Sequence, residues 1–288
     1  MQAYTIAGHI IQISGEGLES LPGFGHFLSE KTGKEPLLVI CKEPTLQDWD
    51  ILPIFTSEYE GVNYDLSVRN DTYLFRMKQS DDHCLLAKIH REGNGFQAAM
   101  RWTGFFSNIS LHYVCWLLFG IAALSRQTVS IHASTVMHQG KSVLFLGESG
   151  TGKSTHTRLW LNHIPDTELL NDDSPFIRVE ADGNIRVYGS PWSGKTPCYK
   201  NIHTPVAAFV RLSQAPYNRI RRLKNLEAIG ALLPSCPYAF AYDHRLSDLI
   251  YSILSHTLQQ VPVYYLECLP DADAARLIYS TLKQNGHL

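Results

Sequence analysis

Closely spaced cysteine pairs are missing from this 288-residue chain. Its six cysteines, Cys41, Cys84, Cys115, Cys198, Cys236 and Cys268, are widely scattered, and none has C-x-x-C spacing. Such thiols supply neither a disulfide frame nor a zinc site, and they read as the reduced structural thiols of a cytoplasmic protein. An excess of charge is missing too. With 25 basic and 27 acidic side chains the net charge is −2, which lacks the footprint of a non-specific nucleic-acid binder. Charged residues make up only 18% and aromatics reach 11%, a balance unlike that of disordered chains. The first residues, MQAYTIAGHIIQI, look like a strand and lack the basic-then-apolar layout of a signal peptide. No apolar run is long enough to span a bilayer. The longest, LHYVCWLLFGIAAL at 111–124, carries His112 near its start and is shorter than the roughly 18–20 residues required. The expectation is a cytoplasmic protein with neither a membrane nor a nucleic-acid partner.

What is present suits an ordinary globular core: 44% of residues are hydrophobic. At roughly 100–200 residues per domain the length allows one large domain or two smaller ones. No internal repeat or low-complexity segment interrupts it. The first hundred residues alternate short β-like runs with turn chemistry: YTIAGHIIQIS at 4–14, PLLVICK at 36–42, TYLFRMK at 72–78 and CLLAKIHRE at 84–92. A buried helix is expected over 110–126, with Ser110 as its cap. The pattern then changes. SVLFLG at 142–147 reads as a strand buried on both faces, and 153–162 as a helix. ELLNDD, SPFIRVE, IRVYGS and AAFVRLS read as further short strands. Leu246, Leu249, Ile250, Ile253 and Leu254 mark one apolar helix face, and a strand at 261–267 and a helix over 271–283 close the chain. The division falls near 125–130: a smaller, mostly β domain over 1–126 ending in the buried helix, then an α/β domain over 127–288.

Residues 147–154 read GESGTGKS and fit G-x-x-x-x-G-K-[ST], with a buried strand running in and a helix running out. Gly147, Gly150 and Gly152 permit a tight loop whose main-chain N–H groups point at an anion. Glu148, Ser149, Thr151 and Thr155 complete the phosphate-binding segment, and the helix adds its positive end. Lys153 is placed to reach the β/γ-phosphates, and Ser154 to offer an oxygen to Mg²⁺. About twenty residues on, ELLNDDSPF brings Asp172 and Asp173 to a strand end. Adjacent carboxylates there can divide the work, one on Mg²⁺ and one facing an acceptor hydroxyl. His132 in SIHAST and Lys195 in GSPWSGKT are further candidates, the first otherwise a core histidine, the second a weak anion contact. The basic run Arg219, Arg221, Arg222 and Lys224 reads as a solvated helix start.

IHAS, GESGTGKST, LLNDDSPF and GSPWSGKT, in this order, resemble the HPr serine kinase/phosphorylase family and the related phosphoenolpyruvate-carboxykinase-like P-loop fold. The likeness covers roughly 128–285. It implies an α/β (α+β) fold with a mixed, partly antiparallel sheet, which suits the several strands and missing helical period between 165 and 215. It also implies site roles for His132 and the Asp pair. By position the base that takes the acceptor proton is assigned to Asp172 and metal contact to Asp173, an order the resemblance leaves open. The chain departs from the family in having Thr155 where HPr kinases have Glu, in lacking their Glu-Ile-Arg-Gly signature, and in its first 125 residues. It resembles a divergent member.

Two functions follow as expectations. One is a Mg²⁺/ATP-dependent kinase acting on a hydroxyl of a protein serine, a peptide or a small molecule. The other is a nucleotide-binding regulatory or scaffold protein without phosphotransfer. Carboxykinase chemistry on an oxo-acid is a third option, for which no ligands stand out. The oligomeric state, including a homo-oligomer, stays open.

Overall fold

The computed structural model describes residues 1–288 except 19, 30–32, 60, 81, 105 and 195. It is mixed α/β with two sheets. Two compact units are present: Met1–Arg126 with Ala239–Ser247, and Gln127–Tyr238 with Asp248–Leu288. A single division at residue 126 leaves out the return of Ala239–Ser247 to the first unit, where Phe240 is buried against Gly120.

The first unit holds β1 (Gln2–Ile6), β2 (His9–Ser14), β3 (Leu38–Lys42), β4 (Phe55–Tyr59), β5 (Val62–Arg69), β6 (Thr72–Lys78), β7 (Cys84–Glu92), β8 (Gly95–Trp102) and helix α1 (Asn108–Leu124). Among the described residues its eight strands run in the order β1-β2-β3-β8-β7-β6-β5-β4. Strands β2, β3 and β8 are mutually parallel and the other pairings antiparallel. The stretch 4–14, read as one strand, is a hairpin that turns at Ala7 and Gly8, both at positive φ. The cap of α1 is Ser107, not Ser110: the Ser107 hydroxyl accepts from the Ser110 N–H, and the helix starts one turn earlier than expected. Helix α1 is buried nearly all round: it packs on β7 and β8, and the Phe240 ring of the returning segment lies against its Gly120. Among the described residues no helix is long and apolar enough to cross a membrane.

The second unit holds β9 (Thr128–Ser130), β10 (Ala133–His138), β11 (Lys141–Leu146), α2 (Lys153–His163), β12 (Thr167–Asp173), β13 (Phe176–Val179), β14 (Ile185–Tyr188), β15 (His203–Gln214), β16 (Arg219–Leu223), α3 (Leu226–Leu232), α4 (His244–Gln260, which begins in the returning segment), β17 (Val263–Cys268) and α5 (Ala272–Gln284). Among the described residues its nine strands follow the path β12-β10-β11-β15-β14-β13-β9, with β17 on β15 and β16 on β17. The sheet is mixed: β15 is parallel to both β11 and β17, and the remaining pairs are antiparallel. Helices α2 and α5 pack together over Val136, Phe145, Val210 and Leu266, with Trp160 fully buried between them. Each such side chain removed from water contributes roughly 1.5–3 kcal/mol.

The basic run expected as a helix start is strand β16 over Arg219–Leu223. Cross-strand partners explain it. Arg219 faces Glu267 in register and forms an ion pair at 3.7 Å, and Arg221 faces Tyr265 with its guanidinium 5.5 Å from the ring centre.

Candidate functional site

Four neighbouring elements of the second unit assemble the site: β11 leading into the loop 147–152, helix α2 leaving it, and the antiparallel pair β10 and β12. The loop is tight because Gly147 sits at φ 153, where a Cβ would lie 2.3 Å from Thr151 Oγ1. Only glycine fits that close approach. Thr151 closes the turn by donating its hydroxyl and its N–H to Glu148 O, at 2.8 and 3.2 Å. Gly150 and Gly152 also have positive φ, and a Cβ at either would meet open space. From the start of α2, Lys153 Nζ folds back and donates to Gly147 O at 2.8 Å and Glu148 O at 3.1 Å. Burial holds its pKa below the ordinary lysine value. Arg211 adds to that depression, and Asp173 and Asp172 oppose it.

Register then separates the two aspartates. On β12, Asp172 stands opposite Ser134 and Asp173 opposite Ala133, so the two carboxylates emerge on opposite faces of the sheet. Asp172 is 6% exposed. Its Oδ1 accepts from Ser134 Oγ at 2.6 Å and from Ser154 Oγ, the P-loop serine, at 3.1 Å. Thr157 of α2 lies 2.6 Å from the Ser134 hydroxyl and completes a buried chain of polar groups. Asp173 is 43% exposed in its side chain, with Oδ1 3.6 Å from His132 Nε2 and Oδ2 accepting from Ser174 Oγ at 2.8 Å. His132, 45% exposed in its side chain, has its pKa lowered by burial first and by the Lys153 charge second, with Asp173 opposing. A neutral imidazole beside a carboxylate is the resulting state near neutral pH.

The structure therefore gathers His132, 147–155, Asp172 and Asp173 in one unit. Lys195 lies outside the described residues. The remainder of its segment is ordered by a residue the sequence reading passed over. Asn171, fully buried, accepts from the Asp173 and Ser174 N–H groups at 3.0 and 2.9 Å. Its amide donates to Ser190 O at 3.3 Å and Trp192 O at 3.2 Å. A Cβ on Gly194 would lie 2.5 Å from Asp172 O, so the GSPWSG segment rests directly on the Asp pair. Ser134, Thr157 and Arg211 were likewise missed. For Asn171 and Arg211 the available signal is a polar or charged side chain inside a strand otherwise apolar, as in LLN and FVRL.

A divalent cation and a polyphosphate are tested against this site on its donor set. Ser154 and Asp172 offer one hydroxyl and one carboxylate, hard oxygen donors of the kind Mg²⁺ takes alongside phosphate oxygens and water. Among the described residues no three His, Cys, Asp or Glu side chains gather to hold a metal by themselves. The fit is to a metal that arrives with phosphate.

Among solved structures the chain is similar to the Hpr(Ser) kinase/phosphatase from Coxiella burnetii, at 13% identity and a TM-score of 0.31. That match covers 55% of this chain and 95% of the other. No protein-family model matches the chain, and no curated protein matches it.

Proposed function

We propose that the chain is a Mg²⁺/ATP-dependent kinase that transfers the γ-phosphoryl group to a hydroxyl acceptor. The observation that carries this reading is the contact between Ser154 of the loop and the buried Asp172, with half-exposed Asp173 beside it. The roles follow from surroundings and reverse the order given by position. Asp172, next to Ser154 and fixed by Ser134, is the carboxylate for the metal. Asp173, open to solvent and next to His132, is the base. The loop N–H groups and Lys153 hold the phosphates, and Mg²⁺, when bound, neutralises charge on the β- and γ-phosphate oxygens.

In the transfer, Asp173 takes the proton from the acceptor hydroxyl, the oxygen forms a bond to the γ-phosphorus, and the bond from that phosphorus to the β,γ-bridging oxygen breaks. ADP leaves with the bridging electron pair, and the phosphorylated acceptor and a protonated Asp173 remain. Acceptors in scope are a protein serine, a peptide or a small molecule.

The test measures ATP binding and acceptor-dependent ADP release across a panel of serine peptides, free amino acids and sugars. Wild type is compared with Lys153→Ala, Asp172→Asn and Asp173→Asn. Asp173→Asn is expected to bind ATP normally and lose about 10²–10⁴-fold in transfer, whereas Asp172→Asn is expected to raise the Mg²⁺ concentration needed for half-maximal transfer. Transfer by all three variants at the wild-type rate would sink the assignment. ATP binding without acceptor-dependent ADP release would leave only a nucleotide-binding protein.

A further inference from the structure

Arg211 interrupts the apolar run AAFVRL of β15, in the middle of the sheet. Parallel register pairs it with Leu146, the last residue of β11 before the loop. Beyond it β15 continues alongside the loop, and Gln214 donates to Gly150 O at 3.2 Å. The carboxyl ends of parallel strands are where α/β proteins receive ligands, so Arg211 stands at the rim of the phosphate loop. It lies across β11 from the strand pair that carries the aspartates.

Its environment is unbalanced. The side chain is only 17% exposed, yet the carboxylate nearest it, Glu148 of the loop, is 83% exposed and reaches Nη2 at 3.6 Å, too long for a hydrogen bond. Nη1 donates to Ala231 O at 3.3 Å. A guanidinium has five N–H donors in a fork suited to two oxygens of one phosphate. This one is largely withdrawn from water and, among the described residues, pairs with a single loosely placed anion. It also acts on Lys153, whose ammonium it helps to hold below its ordinary pKa. Lys153 is the residue that carries charge to the β/γ end of a bound nucleotide. The loop N–H groups and the helix start serve the inner phosphates.

Resting on the nucleotide-site reading above, we infer that Arg211 binds the terminal phosphate of a nucleoside triphosphate, and that Glu148 occupies its guanidinium until that phosphate arrives. Arg211 is then the residue by which the loop distinguishes a triphosphate from a diphosphate. Glu148 is an internal competitor of the ligand, tethered to the loop itself.

The experiment titrates the full chain with Mg²⁺ and either ADP or a non-hydrolysable ATP analogue, by calorimetry. Wild type is compared with Arg211→Met, Arg211→Lys, Glu148→Gln and the Glu148→Gln/Arg211→Met double variant. Arg211→Met is expected to weaken analogue binding about tenfold or more and ADP binding less than about threefold. Arg211→Lys, which keeps the charge and loses the fork, falls between and guards against a folding defect. Glu148→Gln is expected to tighten analogue binding about two- to fivefold, a gain that disappears in the double variant. Equal losses for both ligands, or a Glu148→Gln gain that survives without Arg211, would overturn the inference while leaving the nucleotide site standing. Wild type binding neither ligand would instead overturn the reading of the site, and the inference with it.

Discussion

Asp172 and Asp173 carry identical side chains on adjacent residues, and the pleat alone makes them chemically different. One turns toward Ser134, Thr157 and the loop serine, the other toward His132 and solvent. The order of the two letters in the sequence carries no information about this, because the face each takes depends on a register shift within the β10–β12 pair, between Thr135 and Val136. His156 closes the first turn of the loop helix, its N–H donating to Gly152 O at 2.8 Å. It is buried, its ring meets Phe145 edge-on at 4.8 Å, and its Nε2 has no hydrogen-bond partner among the described residues. Burial pushes its pKa down from 6.5 to about 4, with Asp271 opposing. The unfolded chain therefore binds a proton between those values that the folded chain refuses. Stability conferred by the neutral ring is complete above pH 6.5 and is lost as pH falls toward 4, by roughly 2 kcal/mol at pH 5. In His156→Phe this contribution vanishes. Urea midpoints at pH 7.5 and pH 5 are expected to move less in the variant than in wild type, and equal movement in both would show that His156 does not titrate in this window.

At the scale of elements, strand β12 and the segment after β14 behave as one device with Asn171 as its pin. The amide of Asn171 takes two N–H groups of the Asp turn and offers its own to the carbonyls of Ser190 and Trp192. Asn171→Ala leaves these buried groups without partners and is expected to lower stability by about 2–4 kcal/mol. It is also expected to loosen the GSPWSG segment, read as faster hydrogen exchange over 189–194. Unchanged exchange there would mean that other contacts hold the segment. Elements with a local cause were legible: the loop from its glycines, α2 and β11 from their place on either side of it, and the start of α5 at Asp271, which caps it by accepting the Ala274 N–H at 2.9 Å. Elements whose cause lies across the sheet were not. The polar strand β16 exists because Glu267 and Tyr265 face it, and a lone segment cannot show who its neighbour is. The hairpin at Ala7–Gly8 escaped notice because its turn lacks the Asn-Gly or Asp-Gly signal.

For the whole molecule, sequence distance and structural membership part company at Ala239–Ser247. These residues follow 112 positions of the second unit's chain from Gln127 to Tyr238 and yet belong with the first. Their attachment is specific. Gly120 of α1 has no side chain, and a Cβ there would come within 3.2 Å of the Phe240 ring, so the buried ring lies directly against the helix. Asp243, also buried, accepts from Tyr73 OH at 3.0 Å and from the N–H groups of Arg245 and Leu246, which ties β6 to the first turn of α4. Burial, then the neighbouring carboxylate, raises the Tyr73 hydroxyl well above its ordinary pKa, so it remains a donor at any working pH. Nothing periodic marks such a return, since the residues it meets, Gly120 and Tyr73, lie more than a hundred residues away. Phe240→Ala is expected to remove about 3–5 kcal/mol from the first unit, the usual loss for an emptied aromatic site. Hydrogen exchange on the full chain reads it directly. Amides of β6 and β7 are expected to exchange faster in the variant than in wild type. If they keep wild-type protection, Phe240 is not part of the core of the first unit, and the membership of Ala239–Ser247 in that unit falls.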